Sequence, residues 1–157
     1  MFKEKDLILY PNHGVGEIIK LEQIARNGKN VDYYDIVFFD TEISISVPVN
    51  GAKSLGLSLI PTKKEILKAL TKLGDKVEIN EEIAKDIREI TTKDLNTTEI
   101  NKIVELVNSI RAYNDFRDKP LGVGLHKVLT MSKKFLKSVV DSLLEENAIE
   151  NYPTVTD

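Results

Sequence analysis

The stretch LILYPNHGVGE, Leu7 to Glu17, decides how the rest of the chain is read. Leu7, Ile8, Leu9 and Tyr10 form a β-prone run that Pro11 stops, because proline cannot donate to a ladder and fixes its own φ. Asn12, His13 and Gly14 supply turn chemistry, since Asn and Gly tolerate positive φ. The chain then resumes as Val15-Gly16-Glu17-Ile18-Ile19, with a second glycine where a strongly bent strand needs one. Strand, proline-initiated turn and bent strand make a compact β nucleus.

Working outward, the pattern repeats. Four or five β segments are predicted within residues 7–49, at 7–10, 15–24, 31–39 and 43–49. Asn27-Gly28 between the second and third is a strong hairpin signal. Ile43-Ser44-Ile45-Ser46-Val47 alternates apolar and polar at period 2, so one face is buried. Short antiparallel strands over about fifty residues point to a small barrel of the Tudor or SH3 type. Such a barrel buries little surface alone, so support from the remainder is expected.

The period changes beyond residues 50–61, where Gly51, Gly56 and Pro61 punctuate the chain. Thr62, with Glu65 as capping-box partner and Gly74 as stop, predicts a helix over 63–73. Asn80 predicts a cap for a second helix reaching about 91. Thr97 or Thr98 starts a third, to about 116. A fourth, over 123–148, carries Leu125, Val128, Leu129, Ser132, Phe135, Leu136, Val139, Val140, Leu143 and Leu144 at helical spacing. The fold class is therefore α+β, a small N-terminal β-barrel followed by an α-helical C-terminal domain. The expected division is 1–60, 61–150 and a frayed tail at 151–157.

Composition bounds the chemistry. The 157 residues are 41% hydrophobic and 30% charged, the balance of an ordinary globular protein. The absence of cysteine excludes disulfides and thiolate chemistry and fits a reducing cytoplasm. No apolar run is long enough to span a membrane, and MFKEKDL has no signal-peptide core. The two histidines, His13 in a turn and His126 at a helix start, have no i+4 partner histidine. Gly14-x-Gly16 precedes a strand rather than a helix, so it is no phosphate loop. No catalytic residue, metal site or cofactor is expected, and the chain reads as a binding protein, not an enzyme.

Charge is segregated under a net value of −3. Residues 117–140 carry Arg117, Lys119, Lys127, Lys133, Lys134 and Lys137 against only Asp118, a balance of +5. The flanking blocks, 77–116 and 141–157, stand at −4 and −5. One basic block between acidic ones is either a phosphate-facing patch or a solvated helix face.

Tyr10-Pro11-x-x-Gly14-Val15-Gly16-Glu17, then Val47-Pro48-Val49-Asn50 and Ser54-Leu55-Gly56-Leu57, resembles the CarD/CdnL family of bacterial transcription factors. Leu121-x-x-Gly124-x-x-Lys127-x-Leu129, with Lys133 and Leu136, resembles the start of that family's last helix. The resemblance implies a Tudor-like module that binds the β subunit of RNA polymerase. It also implies a helical domain lying on promoter DNA near the upstream edge of the bubble. The module at 1–60 is then expected to fold by itself and to bind polymerase through an edge formed by Tyr34, Ile36, Ile45, Ser46 and Pro48.

Where relatives carry a Trp-Asn-Arg-Arg-Tyr-like motif, this chain has Ile79-Asn80-Glu81-Glu82-Ile83. Ile79 takes the wedge position, and two glutamates replace two arginines. Arginines that some relatives turn to the polymerase fall here at Ile24 and Ser46. The expected DNA surface is Ile79, Arg117, Lys119, Lys127, Lys133, Lys134 and Lys137, with weak, sequence-independent binding to duplex DNA. A monomer in the bacterial cytoplasm, associated with the nucleoid, is expected. The alternatives are an architectural DNA-binding protein independent of the polymerase, and a protein adaptor without DNA binding.

Overall fold

In the computed structural model, residues 1–146 are described, with side chains through Leu143. The expected tail at 151–157 and the last residues of the 123–148 helix lie outside them. Five antiparallel strands come first: β1 (Leu7–Tyr10), β2 (Gly14–Arg26), β3 (Lys29–Phe38), β4 (Ser44–Pro48) and β5 (Ser58–Leu59). Their order is β4-β3-β2-β1-β5. The expected barrel is thus an open sheet, with β4 and β5 as its two edges. Fifth-strand pairing is only Ile8 with Leu59 and Leu9 with Ser58, too short to be read from residue pattern.

The opening stretch folds as its residue types require. His13 N–H donates to the Tyr10 carbonyl at 3.1 Å across Pro11 and Asn12, and Asn12 has φ +66°. Proline second and a positive φ third define a type II turn. Asn27 and Gly28 both have positive φ (+50° and +75°), and Arg26 pairs with Lys29. This is a type I′ hairpin, whose twist matches that of the flanking strands. A register shift between Ile18 and Lys20 bends β2. Ile8, Ile18, Tyr34, Ile36, Phe38 and Val47 pack beneath the sheet with Phe2, and the β4–β5 connection adds Ala52 and Leu57.

Four helices follow: α1 (Lys63–Leu70), α2 (Glu81–Arg88), α3 (Ile100–Phe116) and α4 (Val123–Glu146), with a 3₁₀ turn at Thr92–Leu95. Thr62 and Glu65 form the expected capping box, and Asn80 Oδ1 accepts the Ile83 N–H at 2.8 Å. The first two helices end three residues short of expectation. The chain after α1 is held from α3 instead: buried Asn108 accepts the Gly74 N–H and donates to the Lys72 carbonyl, both at 2.8 Å.

Sheet and helices share a core. Leu9 and Val15 lie in one cluster with Ile66 and Leu70 of α1, Ile103 and Val107 of α3, and Leu136 and Val139 of α4. A second helical cluster joins Ala84 and Ile87 of α2 to Ile110, Tyr113, Leu125 and Val128. Helix α4 crosses β2 closely enough that the Val15 N–H donates to Ser138 Oγ at 3.0 Å. A Cβ on Gly14 would lie 2.5 Å from that same oxygen, and Gly14 has φ +80°. Only glycine serves both the left-handed turn and the helix approach.

Candidate functional site

The free edge of β4 is defined by its backbone. Phe38 N–H donates to the Ile43 carbonyl at 3.0 Å, and Val49 N–H donates to the Asp32 carbonyl at 2.9 Å. Backbone direction alternates along an antiparallel strand. Ile43, Ile45, Val47 and Val49 therefore turn their amides toward β3, and Ser44, Ser46 and Pro48 turn theirs away. The outward edge offers two N–H donors, from Ser44 and Ser46, and three carbonyls. Residues 43–49, ISISVPV, contain no charge. Edge strands are ordinarily protected by lysine, a bulge or a cover, and this one has proline alone, at its end.

The five residues expected on this edge do not lie together on its surface. Ser46 is exposed, and Ile45 and Pro48 are half-buried on the strand itself. Tyr34 and Ile36 belong to β3 and are 1% and 0% exposed, with their side chains in the core. The Tyr34 hydroxyl accepts the Phe2 N–H at 3.0 Å. Tyr34 and Ile36 thus support the edge from beneath instead of facing a partner. The period-2 rule that buries Val47 buries its register partner Tyr34 on the same side.

Beside Ser46, the opposite face of the sheet carries groups that residue patterns did not single out. Ser46 Oγ donates to Asp35 Oδ1 at 2.6 Å, and Lys20 Nζ lies 3.8 Å from Asp35 and 3.3 Å from Glu22. The Arg26 guanidinium sits 6.0 Å from the centre of the Tyr33 ring. Their common feature is register: Lys20 pairs with Asp35 and Asp35 with Ser46. The bulge at Ile18 to Lys20 hides that alignment from a count along the sequence.

On the helical side, Lys127, Lys134 and Lys137 are exposed and Lys133 is half-buried. At 3.6 residues per turn these four fall within roughly 120° of the α4 circumference, opposite the core stripe. Lys137 is paired with Asp141 at 3.3 Å. Lys119 is exposed in the α3–α4 connection. Arg117 is committed elsewhere: its guanidinium donates to the Tyr113 hydroxyl and lies 5.1 Å from that ring.

Ile79 does not project as a wedge. It is half-buried and packs against the α2–α3–α4 cluster, because Asn80 starts α2 immediately after it and turns the chain inward. The exposed apolar side chains of this region are Phe116 and Val123, at the two ends of the α3–α4 connection. Glu81 and Glu82 are exposed in the first turn of α2, where acids favour the helix dipole.

His13 is half-buried and stacks on Phe38, with ring centres 4.9 Å apart. Burial pushes its pKa below the usual 6.5, so it is neutral at pH 7. It lines a cleft of about 150 Å³ with Asp40, Met131, Lys134 and Ser138. Among the described residues, no group of three or more His, Cys, Asp or Glu is placed to hold a metal ion. None of the described helices is long and apolar enough to cross a membrane.

A search among curated proteins found no match to the chain. A comparison with protein families matched residues 2–59, the whole five-stranded sheet, to the CarD-like/TRCF RID domain. The free β4 edge, the type II turn at Pro11 and the bent β2 all lie within the matched residues. Residues 2–59 thus match the CarD-like/TRCF RID domain, the RNA polymerase-interacting domain found in CarD-like proteins.

Proposed function

We propose that the protein is a non-catalytic transcription regulator that docks on the β subunit of RNA polymerase through the β4 edge. In this reading it contacts promoter DNA weakly through α4. The observation that carries it is the match of residues 2–59 to a domain family that interacts with that subunit. The uncharged edge with two outward amides suits strand addition, in which backbone hydrogen bonds supply affinity and alternate side chains supply selectivity. The Ser46–Asp35–Lys20 array lies beside that edge and offers the partner a polar, partly charged rim.

For DNA, the supporting feature is the lysine face of α4. Point charges on flexible stems bind phosphates without reading bases. The pairing of Lys137 with Asp141 and the acids on α2 limit the attraction, so binding is weak and salt-dependent.

The experiment is co-purification of core polymerase with the full chain and two variants. Ser46→Pro removes an outward donor and the hydroxyl's bond to Asp35 but no backbone bond to β3, and its expected result is loss of polymerase. Ser46→Ala removes the hydroxyl and keeps the donor, and is expected to retain most of the binding. If the proline variant is folded, as judged by its circular dichroism, and captures polymerase as well as the parent chain, docking through this edge is refuted.

A further inference from the structure

We propose that the β4 edge also recognises a second copy of this chain, and that this self-association masks the polymerase-binding edge when the protein is free. The masking rests on the docking reading given above; the self-association does not. The argument is the self-complementarity of the outward row. Turn one β4 antiparallel to another about a two-fold axis at Ser46, and residue i meets residue 92 − i. Ser46 then faces the other Ser46, and their amides exchange two hydrogen bonds in a hydrogen-bonded pair. Ser44 faces Pro48 of the other copy, and its N–H meets the proline carbonyl, twice by symmetry. All four outward donors of the two strands are satisfied. Proline's missing N–H falls opposite the Ser44 carbonyl, which stays open to water. In this register the proline ends the pairing without interrupting it.

Side chains agree with the same register. On the core side Ile43 would meet Val49, and Ile45 would meet Val47, each from the other copy. Ile43 is 49% exposed in the single chain, and the pairing covers it. On the outer side serine meets serine and serine meets proline. No charge opposes a like charge, because residues 43–49 carry none. A register one residue away would oppose the inward-turned amides of Ile45 and Val47, which are already bonded to β3. A two-fold interface closes on itself and leaves no further edge at β4, so the product is a dimer rather than a fibre.

The surface is small, so the dimer is expected to be weak and concentration-dependent. Sedimentation velocity of the full chain over roughly 10–500 µM tests it directly. The mass is expected to rise from 17.7 kDa toward twice that value. Ser46→Lys, which places two like charges on the axis, is expected to stay monomeric at every concentration. Since the chain has no cysteine, Ser46→Cys offers a second readout. Paired strands bring the two Cα atoms about 5.5 Å apart, within the reach of a disulfide. Mild oxidation is expected to join Ser46→Cys chains far faster than Ser54→Cys chains, whose residue is exposed away from β4. The joined dimer is then expected to capture less polymerase in the co-purification than the same Ser46→Cys chains after reduction.

A parent chain that stays monomeric throughout, or Ser46→Cys and Ser54→Cys cross-linking at equal rates, overturns the self-association and leaves the polymerase assignment untouched. A joined dimer that still captures polymerase overturns the masking. Failure of the parent chain to capture polymerase indicts the docking reading instead.

Discussion

Ser138→Ala tests how firmly α4 holds the sheet. Val15 is 1% exposed and Ser138 is 3% exposed, so both ends of their hydrogen bond are buried. Ser138 Oγ is the acceptor of the Val15 N–H at 3.0 Å, across 123 residues of sequence. Alanine removes the acceptor and leaves a buried donor without a partner, a desolvation cost of about 1–3 kcal/mol. Loss of one oxygen adds little cavity, because Gly14 already lies against the side chain. Thermal unfolding of a domain of this size shifts by roughly 2–4 °C per kcal/mol, so the expected drop is about 2–12 °C. Native-state hydrogen exchange supplies the local readout: the Val15 amide is expected to lose protection more than Phe38 or Ile36 amides within the sheet. Ser138→Thr, which keeps the hydroxyl, adds a methyl beside Gly14 and is expected to destabilise by crowding while Val15 stays protected. A Ser138→Ala protein with unchanged melting and unchanged Val15 exchange would refute the reasoning.

Other expectations follow from the site. Burial lowers the His13 pKa, so the unfolded chain binds more protons than the folded one as pH falls. The stabilisation is complete above about 6.5 and is lost as pH drops toward the folded value; His13→Asn should flatten the melting temperature between pH 7 and pH 5 relative to the parent. Lys133→Ala with Lys134→Ala is expected to weaken binding to all duplex sequences alike and to lower the salt slope by roughly 0.9 per lost phosphate contact, measured by titration at several salt concentrations. Glu81→Arg with Glu82→Arg is expected to tighten DNA binding at low salt. It should also lower the melting temperature, because each acid in the first turn of α2 contributes about 0.3–1 kcal/mol against the helix dipole. Tighter binding without that loss of stability would remove the structural role assigned to the glutamates.

Local rules carried much of the fold. Proline, Asn and Gly at 11–14 and at 27–28 dictate φ, so two turns and the strands they join were legible residue by residue. Thr62, Glu65 and Asn80 cap helices through contacts three residues away, which a linear reading sees directly. The uncharged alternation at 43–49 marked a strand, and the lysines of α4 fell outside its apolar stripe. What depends on distant neighbours stayed out of reach. Whether Tyr34 and Ile36 face a partner or the core depends on which side of β3 receives Phe2, Ala52 and Leu57. Ile79 was placed by a motif position, but the next residue, Asn80, caps α2, and Ile79 packs against α3 and α4. Asp35 gains its importance only when β2, bulged at Ile18 to Lys20, aligns it with Lys20 and Ser46. The change of period near residue 60 marks where strands give way to helices, yet Leu9 and Val15 complete the helical core. Backbone preference is a property of neighbours in sequence, and it determined the elements. Burial and register are properties of neighbours in space, and they determined which of those elements' residues are free to meet a partner.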